Sequence, residues 1–178
     1  LIRQTLAEAD LSLADLDGTN GFRVNGITED DQFGRAVASA GDMNGDKVAD
    51  IIIGAPHAAL GASQTGKAFV NFGSEDGRLV RRVMPAMPLQ SDSRFGTSVA
   101  AAGDVNADGF ADLIIGVPTF DVGSVVDAGI AIVYYGGIGA LNASDTLDLD
   151  PHSRANFGYA VAGAGDINGD GRADIVWR

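Results

Sequence analysis

The residues that could do chemistry in this chain stand in an acidic loop of nine residues that occurs three times. The copies occupy residues 42–50, 104–112 and 166–174, and successive copies begin 62 residues apart. Each copy has Asp, Asn, Asp and Asp at its first, third, fifth and ninth positions. Oxygen-bearing side chains at this spacing are how a chain surrounds a hard cation such as calcium. The loops therefore predict calcium sites.

The predicted calcium ligands occupy the same loop positions in every copy. Side-chain oxygens come from the first, third, fifth and ninth positions, and the seventh position would give a backbone carbonyl. Water would complete the shell, and magnesium is disfavoured because it needs a tighter octahedron. The predicted ligands are Asp42, Asn44, Asp46, Val48 and Asp50; Asp104, Asn106, Asp108, Phe110 and Asp112; and Asp166, Asn168, Asp170, Arg172 and Asp174.

The loops have two other interpretations, an EF-hand and a plain tight turn. An EF-hand needs a bidentate Glu at its twelfth position and flanking helices. That position holds Ile53, Ile115 or Trp177, so the EF-hand interpretation fails in every copy. Asp, Asn and Gly also form plain tight turns. Nine carboxylates at matched positions argue against plain turns, since without a cation they would repel one another.

The copies depart from the common pattern at three positions. Lys47 stands where the other loops have glycine, at a position that needs left-handed backbone, which costs a non-glycine residue about 1 kcal/mol. Ala107 replaces glycine at the fourth position, which we expect to be a milder departure. After the third loop, Arg178 takes the place of Gly54 and Gly116, so this unit should differ in detail.

The segments around each loop predict strands. A Phe-Gly pair stands nine residues before each loop, and a short run of small, apolar residues leads into it. Hydrophobic bursts rich in β-branched residues follow the first two loops and are closed by Gly and Pro, as in buried strands. The predicted strands are 35–40, 51–56, 68–72 and one near 83–87; then 97–102, 113–118, 131–135 and one near 146–149; and 159–164.

The predicted fold class is all-β: a β-propeller of four-stranded blades of about 62 residues, with the acidic loop joining the first two strands. The small residues of the first strand suit the innermost position of a blade. The Phe of each Phe-Gly pair is expected to pack between neighbouring blades.

Phe-Gly, Asp-x-Asn-Gly-Asp-Gly-x-Ala-Asp and Gly-Ala-Pro together resemble the FG-GAP repeat. That resemblance implies the seven-bladed β-propeller of integrin alpha chains, of which this chain would be an incomplete segment. It covers roughly residues 16–178, and residues 16–26 resemble the between-blade stretch of bacterial members, which are secreted.

The blade period divides the chain into four parts. We expect the outer part of a preceding blade in residues 1–30, complete repeats in 31–92 and 93–154, and a truncated repeat in 155–178. Because propellers have four to eight blades, the simplest expectation is a fragment of a longer chain cut at both ends. The alternative is a short protein that closes a ring by self-association.

Composition limits the partners and the compartment. A net charge of −12 disfavours nucleic acid, and no apolar run reaches the length of a membrane span. The absence of cysteine rules out disulfides and thiolate metal sites in this segment. Calcium loops of this kind favour an extracellular or cell-surface location, where calcium is abundant.

The sequence gives little indication of an enzyme. His57 and His152 have no Ser or Cys nucleophile motif beside them, and Asp30–Asp31 is expected to be solvated between blades. We therefore expect a non-catalytic adhesion or ligand-binding module that presents loops to an extracellular protein or glycan, with calcium stabilising each blade. The alternatives are an accessory propeller of a secreted hydrolase such as a phospholipase, and a structural spacer of a bacterial surface protein.

Overall fold

A computed structural model describes residues 16, 21, 23–26, 28–59, 63–75, 79–83, 90–138, 144–147 and 155–178. Within this part of the chain the regular structure consists of strands, and no helix occurs. The strands are β1 (Ala36–Gly41), β2 (Asp50–Ala55), β3 (Lys67–Phe72), β4 (Val80–Val83), β5 (Val99–Gly103), β6 (Asp112–Val117), β7 (Ile130–Tyr134), β8 (Ser144–Leu147), β9 (Val161–Gly165) and β10 (Asp174–Trp177).

The strands form consecutive antiparallel sheets. Two sheets have four strands each, in the orders β1-β2-β3-β4 and β5-β6-β7-β8, and β9 pairs with β10. Each strand pairs with its neighbour along the chain, as in a propeller blade. The fold is therefore a partial β-propeller, as the sequence predicted. The exact repeat boundaries stay a prediction, and most of residues 1–30 lies outside the described residues.

The fourth strand of each complete blade lies earlier than predicted. The structure places β4 at Val80–Val83 rather than near 83–87, and β8 at Ser144–Leu147 rather than near 146–149. The position of β4 follows from its pairing with β3, which sets Phe72 opposite Val80 and Phe69 opposite Val83. Register here is fixed by the neighbouring strand, and the weak hydrophobic pattern of an outer strand does not reveal it.

The main hydrophobic core lies between the first two blades. Phe95 is 1% exposed, and its ring stands 6.2 Å from that of Tyr134 in an edge-to-face arrangement. The same cluster contains Ile52 and Val70 of the first blade and Leu113 of the second. The Phe of this Phe-Gly pair therefore packs between blades, as predicted. The first strands also meet at the inside, where β1 contacts β5 and β5 contacts β9.

The glycines of the Phe-Gly and Gly-Ala-Pro segments contact each other across blades. A Cβ atom added to Gly54 would lie 2.0 Å from the carbonyl oxygen of Gly96, and one added to Gly116 would lie 1.8 Å from that of Gly158. Real Cβ atoms do not approach backbone so closely. The two glycine positions of the repeat are thus halves of one contact between neighbouring units.

The described residues include no helix that is long and apolar enough to span a membrane.

Candidate metal loops

All of the acidic loops lie at the same end of their blades, between the first two strands. In the first unit β1 ends at Gly41 and β2 begins at Asp50, and these two residues are paired. Gly103 pairs with Asp112 and Gly165 with Asp174 in the same way. Each loop is therefore closed at its base by an antiparallel pair, which brings its first and ninth positions together.

The first aspartate of the loop organises the turn that follows it. Asp42 Oδ1 accepts hydrogen bonds from the backbone N–H groups of Gly45 at 2.7 Å and Asp46 at 3.1 Å. Asp42 Oδ2 accepts one from the N–H of Lys47 at 2.8 Å. Asp166 makes the same three bonds in the third loop. These bonds wrap the backbone around the carboxylate, which is how short acidic side chains stabilise turns.

The third and fifth positions face each other across the same turn. Asn44 donates from Nδ2 to Asp46 Oδ2 at 2.9 Å, and Asn44 Oδ1 accepts the Asp46 N–H at 3.0 Å. Asp46 Oδ1 accepts the N–H of Val48 at 2.8 Å. The second and third loops repeat this pattern. The structure thus joins the first, third and fifth positions through one network of hydrogen bonds around the turn.

The ninth aspartate has a further role in the two complete blades. Asp50 is 1% exposed, and it accepts the N–H groups of Met43 at 2.9 Å and Gly73 at 3.0 Å. Because Gly73 directly follows β3, this carboxylate ties the loop to the third strand. Asp112 is 0% exposed and accepts the N–H of Gly136, after β7, in the same way. These partners were not predicted from the sequence.

Burial raises the pKa of Asp50 above its ordinary value of 3.8. The N–H groups of Met43 and Gly73 act in the opposite direction, and the negative charges of Asp46 and Asp42 raise the pKa further. The pKa of Asp112 is raised by the same causes in its own loop. The charges acting on each buried carboxylate are therefore like charges, whose repulsion a divalent cation would offset.

Neighbouring loops are hydrogen-bonded to each other. The N–H of Ala111 donates to the carbonyl of Asp42 at 3.1 Å, and the N–H of Ala173 donates to that of Asp104 at 2.9 Å. A Cβ atom on Gly41 would lie 2.6 Å from Ala111 Cβ, so the contact needs small residues on both sides. The sequence feature that could have predicted this contact between loops is the alanine at the eighth position of every loop.

Two loop residues adopt left-handed backbone although they carry side chains. Lys47 has φ 69°, as its position predicted, and Ala107 has φ 62°. The expectation that Ala107 is the milder departure is wrong, because the fourth position is as left-handed as the sixth. Each residue costs its loop about 1 kcal/mol relative to glycine.

The donor chemistry of the loops fits a hard divalent cation. Asp42 accepts three N–H bonds, which leaves about one of its four acceptor sites open for a cation. Asp46 and Asp50 each accept two bonds and have about two acceptor sites open. In the part of the chain that the structure describes, no three Asp, Glu, His or Cys side chains converge closely enough to hold a metal ion. The ligand assignments therefore stay predictions.

Asp31 is buried, contrary to the expectation that it is solvated. It is 6% exposed rather than solvated, and its carboxylate accepts the N–H of Phe33 at 2.8 Å. Its carbonyl accepts the backbone N–H of His57 at 3.2 Å. The buried acid thus holds the turn that leads into the first Phe-Gly pair. His152 lies outside the described residues.

Comparison with known proteins places these features in a family. Residues 33–70, 95–134 and 157–178 match the FG-GAP repeat, which is more than half of the chain. Human integrin alpha-6 is 31% identical over 171 residues, covering 96% of this chain and 14% of the integrin. Drosophila melanogaster integrin alpha-PS5 is 31% identical over 151 residues, covering 81% of this chain and 14% of the integrin. Rat phosphatidylinositol-glycan-specific phospholipase D is 31% identical over 161 residues, covering 82% of this chain and 18% of that protein.

Proposed function

Because this chain belongs to the FG-GAP repeat family and forms an integrin alpha-like propeller segment, we propose that it is a calcium-binding, non-catalytic module for adhesion or ligand binding, located outside the cell or on its surface. Its partner would be an extracellular protein or glycan. Further blades or domains of a parent chain would complete the propeller, since this chain spans only 14% of integrin alpha-6.

The observation that carries the proposal is the joining of the first two acidic loops to the rest of their blades, and of neighbouring loops to each other. The ninth aspartate connects the loop to the strand end after β3 or β7, and the eighth-position N–H connects it to the preceding loop. A cation held by the first or second loop would therefore stabilise the first three strands of its blade and the junction with the neighbouring blade.

Calcium would act here as a structural ion. Extracellular calcium modules bind with dissociation constants of about 10⁻⁴ to 10⁻³ M. At free calcium tenfold above the dissociation constant, each site adds about 1.4 kcal/mol, so three sites would add about 4 kcal/mol. That amount is comparable with the whole stability of a marginal domain.

The testing experiment is a calorimetric calcium titration of the metal-stripped chain, with thermal unfolding followed in parallel by circular dichroism. We expect about three sites per chain, as the three loops predict. The melting temperature should rise by roughly 8–16 °C, since about 1 kcal/mol shifts a chain of this size by roughly 2–4 °C. Magnesium at the same concentration should give a much smaller shift.

A triple variant serves as the matched control, with Asp46, Asp108 and Asp170 each changed to alanine. These side chains lie at the fifth position of each loop and do not contact the strand ends after β3 and β7. The variant should keep its β-sheet spectrum and lose the calcium response. A folded wild-type chain that binds no calcium at millimolar concentration would contradict the proposal.

A second candidate function is supported by the match to phospholipase D. In that case the chain would be the accessory propeller of a secreted hydrolase, and its catalytic residues would lie elsewhere in a parent chain. The two cases are distinguished by incubating a phosphatidylinositol-glycan substrate with this chain alone and measuring both its hydrolysis and its binding. We expect no hydrolysis; saturable binding of the glycan headgroup would favour the accessory role.

A further inference from the structure

A cavity of about 180 Å³ lies at the opposite end of the blades from the acidic loops. Arg35 directly precedes β1 and His57 follows β2, whereas the loop joins the other ends of these two strands. The second and third units contribute Arg94 and Tyr159. We call this feature the arginine cavity, defined by Arg35, His57, Arg94 and Tyr159.

The cavity is built from equivalent positions of all three units. Gln32, Arg94 and Asn156 each precede a Phe-Gly pair, and each has left-handed backbone, with φ of 56°, 59° and 51°. Left-handed backbone suits Asn but is costly for Arg. An arginine in such a conformation at the wall of a cavity points to a use for its side chain.

The walls of the arginine cavity are held by hydrogen bonds. Thr97 Oγ1 donates to the carbonyl of Arg94 at 2.7 Å, and Asn156 Nδ2 donates to the carbonyl of Pro118 at 3.1 Å. Thr119 Oγ1 donates to the carbonyl of Asp92 at 2.5 Å. The last two bonds link successive units, and the first holds the turn at Arg94.

The charge of the cavity contrasts with the charge of the protein. The chain has 24 acidic and 12 basic residues, yet no described acidic residue lines the cavity. Among the described residues, the guanidinium groups of Arg35 and Arg94 form no ion pair and no hydrogen bond. Two cations without a partner thus face one small space on an acidic protein, and this favours an anionic group there.

We propose that the arginine cavity anchors a single carboxylate presented by a protein ligand, as an Asp or Glu side chain or a chain terminus. The inference deepens the proposed ligand-binding function and rests on it. The cavity is smaller than a site for a drug-sized molecule, so it fits one anchoring group. A highly sulfated glycan is disfavoured because the net charge of −12 would repel a polyanion beyond the two arginines.

The test uses two short peptides, acetyl-Gly-Asp-Gly-amide and acetyl-Gly-Asn-Gly-amide, which differ in the carboxylate alone. Binding to the calcium-saturated chain is followed by NMR chemical-shift mapping. We expect the Asp peptide to shift signals around Arg35 and Arg94 and the Asn peptide to leave them unchanged. R35Q and R94Q should each weaken Asp-peptide binding by about tenfold, the scale of a charge-assisted hydrogen bond.

R23Q is the matched control, because Arg23 is exposed and does not line the cavity. It removes the same charge and should leave peptide binding unchanged. Equal binding of the two peptides would overturn the proposal, as would unchanged binding in R35Q and R94Q. A heparin tetrasaccharide that binds more tightly than the Asp peptide, and is lost in the same variants, would assign the cavity to glycans and also overturn it.

Calcium binding is measured on the same samples. R35Q and R94Q should leave the calcium midpoint unchanged, since both residues lie at the far end of the blades from the loops. Peptide binding without any calcium response would overturn the structural role of calcium and uphold the arginine cavity. A normal calcium response without a preference for the Asp peptide would overturn the arginine cavity and uphold the structural role of calcium.

Discussion

The first two acidic loops differ from the third in what their ninth aspartate contacts. Asp50 and Asp112 are buried, and one oxygen of each accepts an N–H from a strand end, at Gly73 or Gly136. Asp174 is only partly buried, and its corresponding oxygen lies 3.5 Å from the amide nitrogen of Asn168 in its own loop. In the first two blades the ninth aspartate therefore joins its loop to the strand end after β3 or β7.

The largest expected difference separates Asp112→Ala from Asp174→Ala. Asp112→Ala leaves the buried N–H group of Gly136 and the partly buried N–H group of Val105 without an acceptor. Since an unsatisfied buried group costs about 1–3 kcal/mol, the loss should be about 2–4 kcal/mol. Asp174→Ala should cost less than about 1 kcal/mol, because its donor is exposed to water. Urea unfolding in EDTA measures both without a contribution from calcium.

Asp112→Asn refines this comparison. The amide keeps one acceptor oxygen and loses the other, so its stability should fall between that of wild type and Asp112→Ala. Equal losses for the alanine variants at positions 112 and 174 would show that the strand-end contact is energetically unimportant.

The next effect concerns the non-glycine residues at left-handed positions, which occur in the first two loops and not in the third. Lys47→Gly and Ala107→Gly should each stabilise the chain by about 1 kcal/mol, since glycine adopts their backbone without strain. Gly171→Ala should lower stability by a similar amount, because Gly171 has φ 86°. Thermal unfolding at fixed calcium measures all three. A destabilised Lys47→Gly variant would mean that the lysine side chain contributes more than its backbone costs.

The sequence predicted this fold well because its signals are local and repeated. Bursts such as Ile51–Ile53 are short and β-branched, and the constant spacing of the loops made one blade a template for the next. The bond from Gly73 to Asp50 was out of reach, because it depends on where β3 ends. The arginine cavity was missed because Arg35 and Arg94 occupy different positions in their own repeats and meet only when blades pack together.

A smaller effect tests the bonds between loops. Asp108→Ala removes a predicted ligand of the second loop and leaves the first and third intact. Because the N–H of Ala111 bonds Asp42 and that of Ala173 bonds Asp104, calcium affinity in the flanking loops should also fall by a few-fold. Site-resolved NMR titration with calcium separates the loops. Unchanged flanking affinities would show that each loop binds independently.

The smallest effect is on the pH dependence of stability without calcium. Burial holds the pKa of Asp112 above 3.8 in the folded state, so the folded chain takes up this proton more readily than the unfolded chain. The resulting stabilisation is fully present below 3.8 and is lost as pH rises through the raised pKa. Relative to Asp112→Asn, wild type in EDTA should gain stability as pH falls through that window. Parallel melting profiles for the two proteins would contradict this.

The glycine contact across blades also determines which repeats are interchangeable. Gly54 and Gly116 each receive the backbone of the next unit, and neither has room for a Cβ atom. The third unit has Arg178 at this position. The first two units could exchange places in an engineered array, whereas a blade placed after the third could not make the same close contact. The third repeat is therefore not interchangeable with the first two.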